Sequence, residues 1–352
     1  MSNHKQAIQT AIVAFGLSGK AFHAPFIAAN PTFRLRKVVE RHREDSASIY
    51  PEVAVCRSLN AVLEDAAIEL VVITTPNTFH YSMARQALEA GKHVVLEKPF
   101  TVTLEEAQGL IQLAKEQQKM LTVFHNRRWD GDFLTVKQLL DKKMIGKPVE
   151  FESNFHRFRP RIKDNWREEE EAGSGILYDL GPHLIDQALC LFGTPKAVFA
   201  DVRQQRPEAK TADSFELLLD YEHLKVKLNA GTLVRIAWPR FTVNGTAGGF
   251  IKWGLDPQEA ALRAGLKPVG SDWGREEERN WGTLHTHLNG LDFKGKIETF
   301  AGNYGAFYQN VYEHIRKEEP LVVKPVQALE VMKLLELATR SAAEGKKLSV
   351  EE

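Results

Sequence analysis

The apolar, β-branched run Ala7–Phe15 (AIQTAIVAF) ends on the glycine turn Ala14-Phe15-Gly16-Leu17-Ser18-Gly19, and the chain then reads as helix over Ser18–Ala29. A strand that stops at such a turn and passes directly into a helix aims the helix N-terminus and its open backbone N–H groups at an anion. The turn is G-x-G-x-x-G with alanine at the first position. Gly16 and Gly19 keep the roles of close approach to a pyrophosphate and close helix packing. Alanine suits the first position provided its φ is negative. Glu40 stands 21 positions after Gly19, at the end of a second strand, Leu35–Glu40, where the ribose of a bound dinucleotide is held.

The alternation continues. Leu70–Thr74 (LVVIT) reads as a buried strand, Phe79–Ala90 as a helix ending at Gly91, Lys92–Leu96 as a strand, Leu104–Gln118 as a helix and Met120–His125 as a strand. Strands separated by helices imply a parallel sheet covered on both faces, hence a Rossmann dinucleotide-binding domain over residues 1–125. After about residue 149 the texture changes. Pro148–Phe158, Ala197–Arg206, Ser214–Tyr221, Lys225–Leu233, Phe241–Asn244 and Phe250–Trp253 are extended candidates, with one clear helix among them inside Gly181–Phe192. Residues 126–325 are therefore expected to form an α+β domain with a large open, mostly antiparallel sheet, α/β being the class of the whole chain. Ala306–Lys317 and Val326–Ala342 read as helices, and 326–342 is expected to pack back on the first domain.

Composition excludes several classes of function. Lys plus Arg and Asp plus Glu both number 46, so the net charge is zero and supplies no field for nucleic acid or an anionic membrane. No apolar run approaches the length of a membrane span, and the polar Met1–Thr10 stretch is unlike a signal peptide. The two cysteines, Cys56 and Cys190, have no CxxC partner, which disfavours a disulfide scaffold or thiolate zinc site and suits a reducing cytoplasm.

Two further motifs carry chemistry. Glu97-Lys98-Pro99 closes a buried strand, and open α/β sheets bind ligands beyond the carboxyl ends of their strands, so Lys98 is expected in that crevice. A desolvated lysine there suits proton transfer, and Pro99 sets the turn in a cis or trans form that sequence does not decide. In Tyr178-Asp179-Leu180-Gly181-Pro182-His183-Leu184-Ile185-Asp186, a helix would put Asp179, His183 and Asp186 on one side. A carboxylate one turn from an imidazole can fix its tautomer and raise its basicity. Pro182 begins or kinks that helix, and a structural His–Asp pair is the competing reading. A metal is not expected, because no third strong ligand stands nearby, and His285-Thr286-His287 gives no reason to pair with one.

Together these segments resemble the Gfo/Idh/MocA oxidoreductase family over nearly the whole chain. The resemblance rests on the glycine turn, Pro76-Asn77-Thr78-Phe79-His80, Glu97-Lys98-Pro99 and Gly173 through Asp186. His125-Asn126-Arg127-Arg128-Trp129-Asp130, Trp166-Arg167 and Phe250-Ile251-Lys252-Trp253-Gly254 are similar to the bacterial branch containing scyllo-inositol dehydrogenases. It implies Lys98, Asp179 and His183 as the catalytic set. It implies a dinucleotide held by Gly16, Leu17, Ser18, Gly19, Glu40, Arg41, Thr75, Pro76, Asn77, His80, Glu97 and Lys98. Asn126, Arg127, Trp166 and His183 are expected at the substrate, and the open sheet is expected to support a homodimer or homotetramer.

The activity implied is NAD(P)-dependent interconversion of a secondary alcohol and a ketone on a cyclic polyol or sugar. His183 accepts the hydroxyl proton as hydride leaves, Asp179 orients His183, and Lys98 acts at the same oxygen. NAD is slightly favoured over NADP through Glu40, although Arg41 and Arg43 could hold a 2′-phosphate. Arg157, Arg159 and Arg161 form either a rim for a polar substrate or solvated charge. A dinucleotide-sensing regulator and a glycoside hydrolase using NAD transiently are the rival readings.

Overall fold

The computed structural model describes residues 7–162 and 168–350. The chain divides into two compact units. The first holds residues up to Asn126 together with Gln258–Trp273 and Asn303–Leu329; the second holds Arg127–Pro257, Gly274–Gly302 and Glu330 onward. Among the described residues no helix is long and apolar enough to cross a membrane.

The first unit is built on six strands: β1 Ile8–Val13, β2 Phe33–Val39, β3 Ala54–Cys56, β4 Leu70–Ile73, β5 His93–Leu96 and β6 Leu121–Val123. All pair in parallel, in the order β3-β2-β1-β4-β5-β6. β4 (LVVI) is buried at every residue, as a strand covered on both faces must be. Strand order reverses between β1 and β4, the switch point beyond which such sheets bind ligands. The glycine turn follows β1, the Thr75–Asn77 segment follows β4, and Glu97-Lys98 follows β5, so three expected binding segments share one end of the sheet.

Two local features depart from expectation. The helix after the glycine turn starts as a π-helix, Ser18–His23, before the α-helix Ala24–Ala29. Pro25 has no N–H to return to the preceding turn, which suits the wider winding there. Ala14 has φ +77°, not the negative value that would suit alanine. Its N–H donates to the Val39 carbonyl at 3.1 Å and its carbonyl accepts from Thr74 Oγ1 at 2.8 Å, so the turn is clamped from both neighbouring strands.

The second unit contains β7 Pro148–Asn154, β8 Ala197–Arg203, β9 Ser214–Asp220, β10 Lys225–Gly231, β11 Phe241–Gly245, β12 Gly248–Lys252, β13 Gly282–Leu288, β14 Leu291–Ile297 and β15 Leu348–Ser349. They form one sheet, β14-β13-β12-β11-β7-β10-β9-β8-β15, in which only β7 and β10 are parallel. The helix Gly175–Phe192 packs on β9 and β10. Alternating burial along β9 marks one face turned to that helix and one turned outward.

The units interleave more than a division at residue 125 suggests. The helix Gly305–Lys317 belongs to the first unit, where Tyr304, Phe307 and Tyr308 meet Phe26, Phe124 and Phe33 edge-on. The helix Pro325–Glu344 enters the second unit from Glu330, which corrects the expectation that 326–342 as a whole returns to the first domain. Its buried Val331, Leu334, Leu335 and Ala338 form an apolar stripe, and a Cβ on Gly181 would stand 3.0 Å from Leu335. Ser341 Oγ accepts from the Ala200 amide at 3.0 Å.

Ala14→Gly should relieve the left-handed strain and stabilise the protein by about 1 kcal/mol, since a non-glycine residue there costs roughly that much. Thermal melts should show Tm rising by a few degrees. An unchanged or lower Tm would mean that the turn is not strained.

Candidate active site

Gly16 and Gly19 answer to different demands. A Cβ on Gly19 would lie 2.5 Å from the Ala14 carbonyl oxygen and 3.1 Å from Thr74 Oγ1, so only glycine fits. A Cβ on Gly16 would meet nothing within 4 Å, which leaves open space beside the backbone for a phosphate. The turn thus fits a dinucleotide. Leu17 is exposed, as a residue at the lip of such a turn would be.

Glu97 is the hub of this end of the sheet. Its carboxylate accepts a short hydrogen bond from the Ser18 hydroxyl and one from the Lys98 amide at 2.9 Å, and His23 Nε2 lies 3.0 Å from Oε1. His23 Nδ1 in turn lies 2.5 Å from the Tyr308 hydroxyl. Burial pushes the Glu97 carboxyl up, but the bond and charge of His23, the Ser18 hydroxyl and Lys98 together outweigh it and hold it at about 2. Glu97 and the Ser18 hydroxyl, expected at the cofactor, also brace the glycine turn and the segment that carries Lys98. The Lys98-Pro99 peptide is cis.

Other expected cofactor ligands also serve as braces. His80 is buried, its Nδ1 2.9 Å from the Pro99 carbonyl and its Nε2 3.1 Å from the Thr75 carbonyl, so it ties the segment after β4 to the one after β5. Burial lowers its pKa despite those carbonyls and Glu97. Asn77 is buried on a single helical turn, Asn77–Phe79, preceded by Thr75 and Pro76. Glu40 carries contacts that the sequence does not show. Its carboxylate accepts from the Asp45 and Ser46 amides, each at 3.0 Å, and from the Ser46 hydroxyl, closing the start of the helix Asp45–Ile49. The acceptor expected to face a ribose is engaged inside the protein, while Arg41 is exposed.

In the second unit the helix Gly175–Phe192 runs unbroken through Pro182, so Asp179, His183 and Asp186 do share one side. His183 is buried. Asp179 Oδ2 lies 3.6 Å from Arg157 Nη1, an ion pair that sequence reasoning missed. Asp186 accepts a bidentate pair from Arg128, Nε at 2.8 Å and Nη2 at 2.6 Å. Gln187 donates to the Arg127 carbonyl at 2.9 Å and accepts from Arg240 at 2.8 Å. These partners anchor the helix on the side that carries His183.

Asn126 and Arg127 lie buried on the helical turn Asn126–Trp129 after β6. The Arg127 guanidinium pairs with Asp130 at 3.2 Å and sits 4.7 Å from the centre of the Phe155 ring. Trp166, expected at the substrate, lies outside the described residues. Among the described residues no cluster of His, Cys, Asp or Glu could hold a metal. His285 and His287 are exposed on β13. Burial pushes the Cys190 thiol up to about 12, too high for a nucleophile.

Residues 8–125 match the model described as the oxidoreductase family, NAD-binding Rossmann fold, and residues 137–350 match its C-terminal alpha/beta domain. The chain belongs to the Gfo/Idh/MocA oxidoreductase family. It is 39% identical over 345 residues to the scyllo-inositol 2-dehydrogenase (NADP(+)) of Bacillus subtilis, covering 98% of this chain and 96% of the relative. Levoglucosan dehydrogenase of Pseudarthrobacter phenanthrenivorans is 29% identical over 58% of this chain and 56% of its own length. A crystal structure of an oxidoreductase from Bacteroides fragilis superposes with a TM-score of 0.91 at 46% identity, covering 97% of this chain and 99% of that one.

Two outcomes test this geometry. Asp186→Ala leaves the Arg128 guanidinium buried without its carboxylate and should destabilise the protein by about 3–5 kcal/mol, read by chemical denaturation. Glu97, its folded pKa depressed, contributes stability that is present above its unfolded pKa and lost as pH falls toward about 2. Glu97→Gln should therefore melt well below the native protein near neutral pH. That gap should close only as pH falls from the ordinary glutamate range toward 2; a gap independent of pH would contradict it.

Proposed function

We propose that the chain is a nicotinamide-dinucleotide-dependent dehydrogenase that interconverts a secondary alcohol and a ketone on an inositol or similar cyclic polyol. The observation that carries the reading is the unbroken helix holding Asp179 and His183 one turn apart, with His183 buried, in a chain similar end to end to a scyllo-inositol 2-dehydrogenase. The turn at Gly16–Gly19 would hold the pyrophosphate. The bound nicotinamide supplies the hydride acceptor or donor. His183 accepts the substrate hydroxyl proton, Asp179 stabilises the imidazolium that results, and Lys98 polarises the same oxygen. Asn126 contributes to substrate recognition. In the reading put forward here, the open sheet of the second unit supports a homodimer or homotetramer. The two cysteines are unbridged, which suits a cytoplasmic setting.

On cofactor choice we favour NADP. Glu40 already accepts three hydrogen bonds from Asp45 and Ser46, which weakens the reason to favour NAD, and exposed Arg41 and Arg43 suit a 2′-phosphate. Arg41→Ala should weaken NADP binding by about tenfold or more, the scale of a charged hydrogen bond, and leave NAD binding nearly unchanged in fluorescence titration. Equal losses for both would remove Arg41 as the selector.

A panel of inositols, aldoses and anhydro-sugars with each dinucleotide tests the activity, a reduced dinucleotide accumulating with the best polyol. Lys98→Met and His183→Ala should each lower kcat by about 10²- to 10⁴-fold with dinucleotide affinity little changed. Combined, they should lose less than the product of the two, as residues on one proton path fail together. Normal turnover in both folded variants would overturn the catalytic assignment of Lys98 and His183, and no turnover of any polyol by the native chain would favour a dinucleotide sensor.

A further inference from the structure

Arg157 stands on the segment that continues β7, and its backbone is fixed on both sides. Its amide donates to the Gly231 carbonyl at 2.8 Å, and its carbonyl accepts from the Val234 amide at 3.1 Å. Its guanidinium carbon sits 5.1 Å from the centre of the ring of Phe155, which is fully buried. From there Nη1 reaches 3.6 Å from Asp179 Oδ2. Both side chains are partly shielded, 20% exposed for Arg157 and 25% for Asp179. A guanidinium braced by backbone bonds and an aromatic face loses little further freedom on pairing, which distinguishes this contact from a floppy surface ion pair.

The neighbouring charges point the same way. Two other guanidiniums approach Phe155, those of Arg127 and Arg240, and each has its own carboxylate: Asp130 for Arg127 at 3.2 Å, Asp132 for Arg240 at 3.6 Å. Arg240 further donates to Ser153 Oγ at 2.5 Å and to Gln187 Oε1. The carboxylate that Arg157 holds is Asp179, one helical turn before His183.

We propose that Arg157 is a positioning residue for the reaction, holding the Asp179 carboxylate ionised and in place so that Asp179 supports His183 through proton transfer. The proposal rests on the dehydrogenase reading. A cation at this distance favours the charged form of a carboxylate. The Arg157 guanidinium 3.6 Å away therefore favours the ionised form of Asp179. Loss of the cation would favour protonation of Asp179 and would release its side chain from the place that Arg157 fixes, one helical turn before His183.

The test uses Arg157→Met and Arg157→Lys in the full chain, with Asp179→Asn as reference. The pH profile of kcat/KM on the best inositol, dinucleotide affinity and the melting curve are measured for each. Arg157→Met should move the acid limb of the profile up by about one pH unit, the low end of the shift a nearby opposite charge produces. It should lower kcat several-fold, leave dinucleotide affinity unchanged, and lose its defect as pH rises; Arg157→Lys should restore most of the loss. A kcat loss uniform across pH, or an unmoved acid limb in a folded Arg157→Met, would overturn the proposal. A second readout separates it from the dehydrogenase reading. NMR titration of carboxyl-labelled aspartate, with the Asp179 signal assigned through Asp179→Asn, should show Asp179 titrating about one unit higher in Arg157→Met. If that shift is present and no polyol is turned over, the dehydrogenase reading fails and the pairing stands; if it is absent, the positioning role fails whatever the activity.

Discussion

One ionised, buried carboxylate organises the cofactor end of the first unit. Glu97 receives Ser18 from the glycine turn, His23 from the π-helix and the Lys98 amide from its own segment, and His23 passes the link to Tyr308. Because these partners come from different stretches of chain, the turn at Gly16–Gly19 and the segment that carries Lys98 cannot be set independently. Removing the carboxylate would leave the buried His23 and the partly buried Ser18 and Lys98 donors unmatched at once, which costs more than losing a single bond. His80 performs the same task one strand over, between the Thr75 and Pro99 carbonyls.

The second unit solves a similar problem with charge pairs. A helix containing Gly181 and Pro182 has weak intrinsic preference for helix, yet Gly175–Phe192 is continuous. Burial against β9 and β10 holds one side. On the other, Arg128 grips Asp186 while Gln187 is fixed by the Arg127 carbonyl and Arg240. Directional, charge-assisted bonds of this kind specify one arrangement where an apolar face would allow sliding. His183, between those contacts and the buried face of the helix, is thereby held in place.

The Rossmann unit was legible because its strands are buried on both faces and read as apolar runs, LVVI of β4 above all. The small β3 and the edge strand β14 escaped for the opposite reason: β14, LDFKGKI, is exposed along most of its length and carries no alternation. The helix Gly131–Asp141 also passed unread. The motif helix was expected to begin near Gly181 but starts at Gly175, because glycine at 181 reflects the close approach of Leu335, a contact more than 150 residues away in the chain. At the site, residue types were readable and their partners were not. Glu40 reads as a ribose acceptor in the sequence, which does not show that Asp45 and Ser46 cap against it. A carboxylate followed five and six residues later by Asp-Ser opening a short helix was the available signal. Arg157 reads in the sequence as one of three arginines forming either a rim for a polar substrate or solvated charge, since nothing local links it to Asp179.

In the proposed reaction the chain removes a hydride from a ring carbon bearing a hydroxyl and delivers it to a nicotinamide. The most direct measurement follows the hydrogen itself. An inositol deuterated at its ring carbons is incubated with the protein and oxidised dinucleotide, and both products are analysed by mass spectrometry. One deuterium in the reduced nicotinamide for each inosose formed is the predicted result. Inosose formed without label in the dinucleotide, or tight dinucleotide binding with no labelled dinucleotide from any of the inositols, would contradict the account.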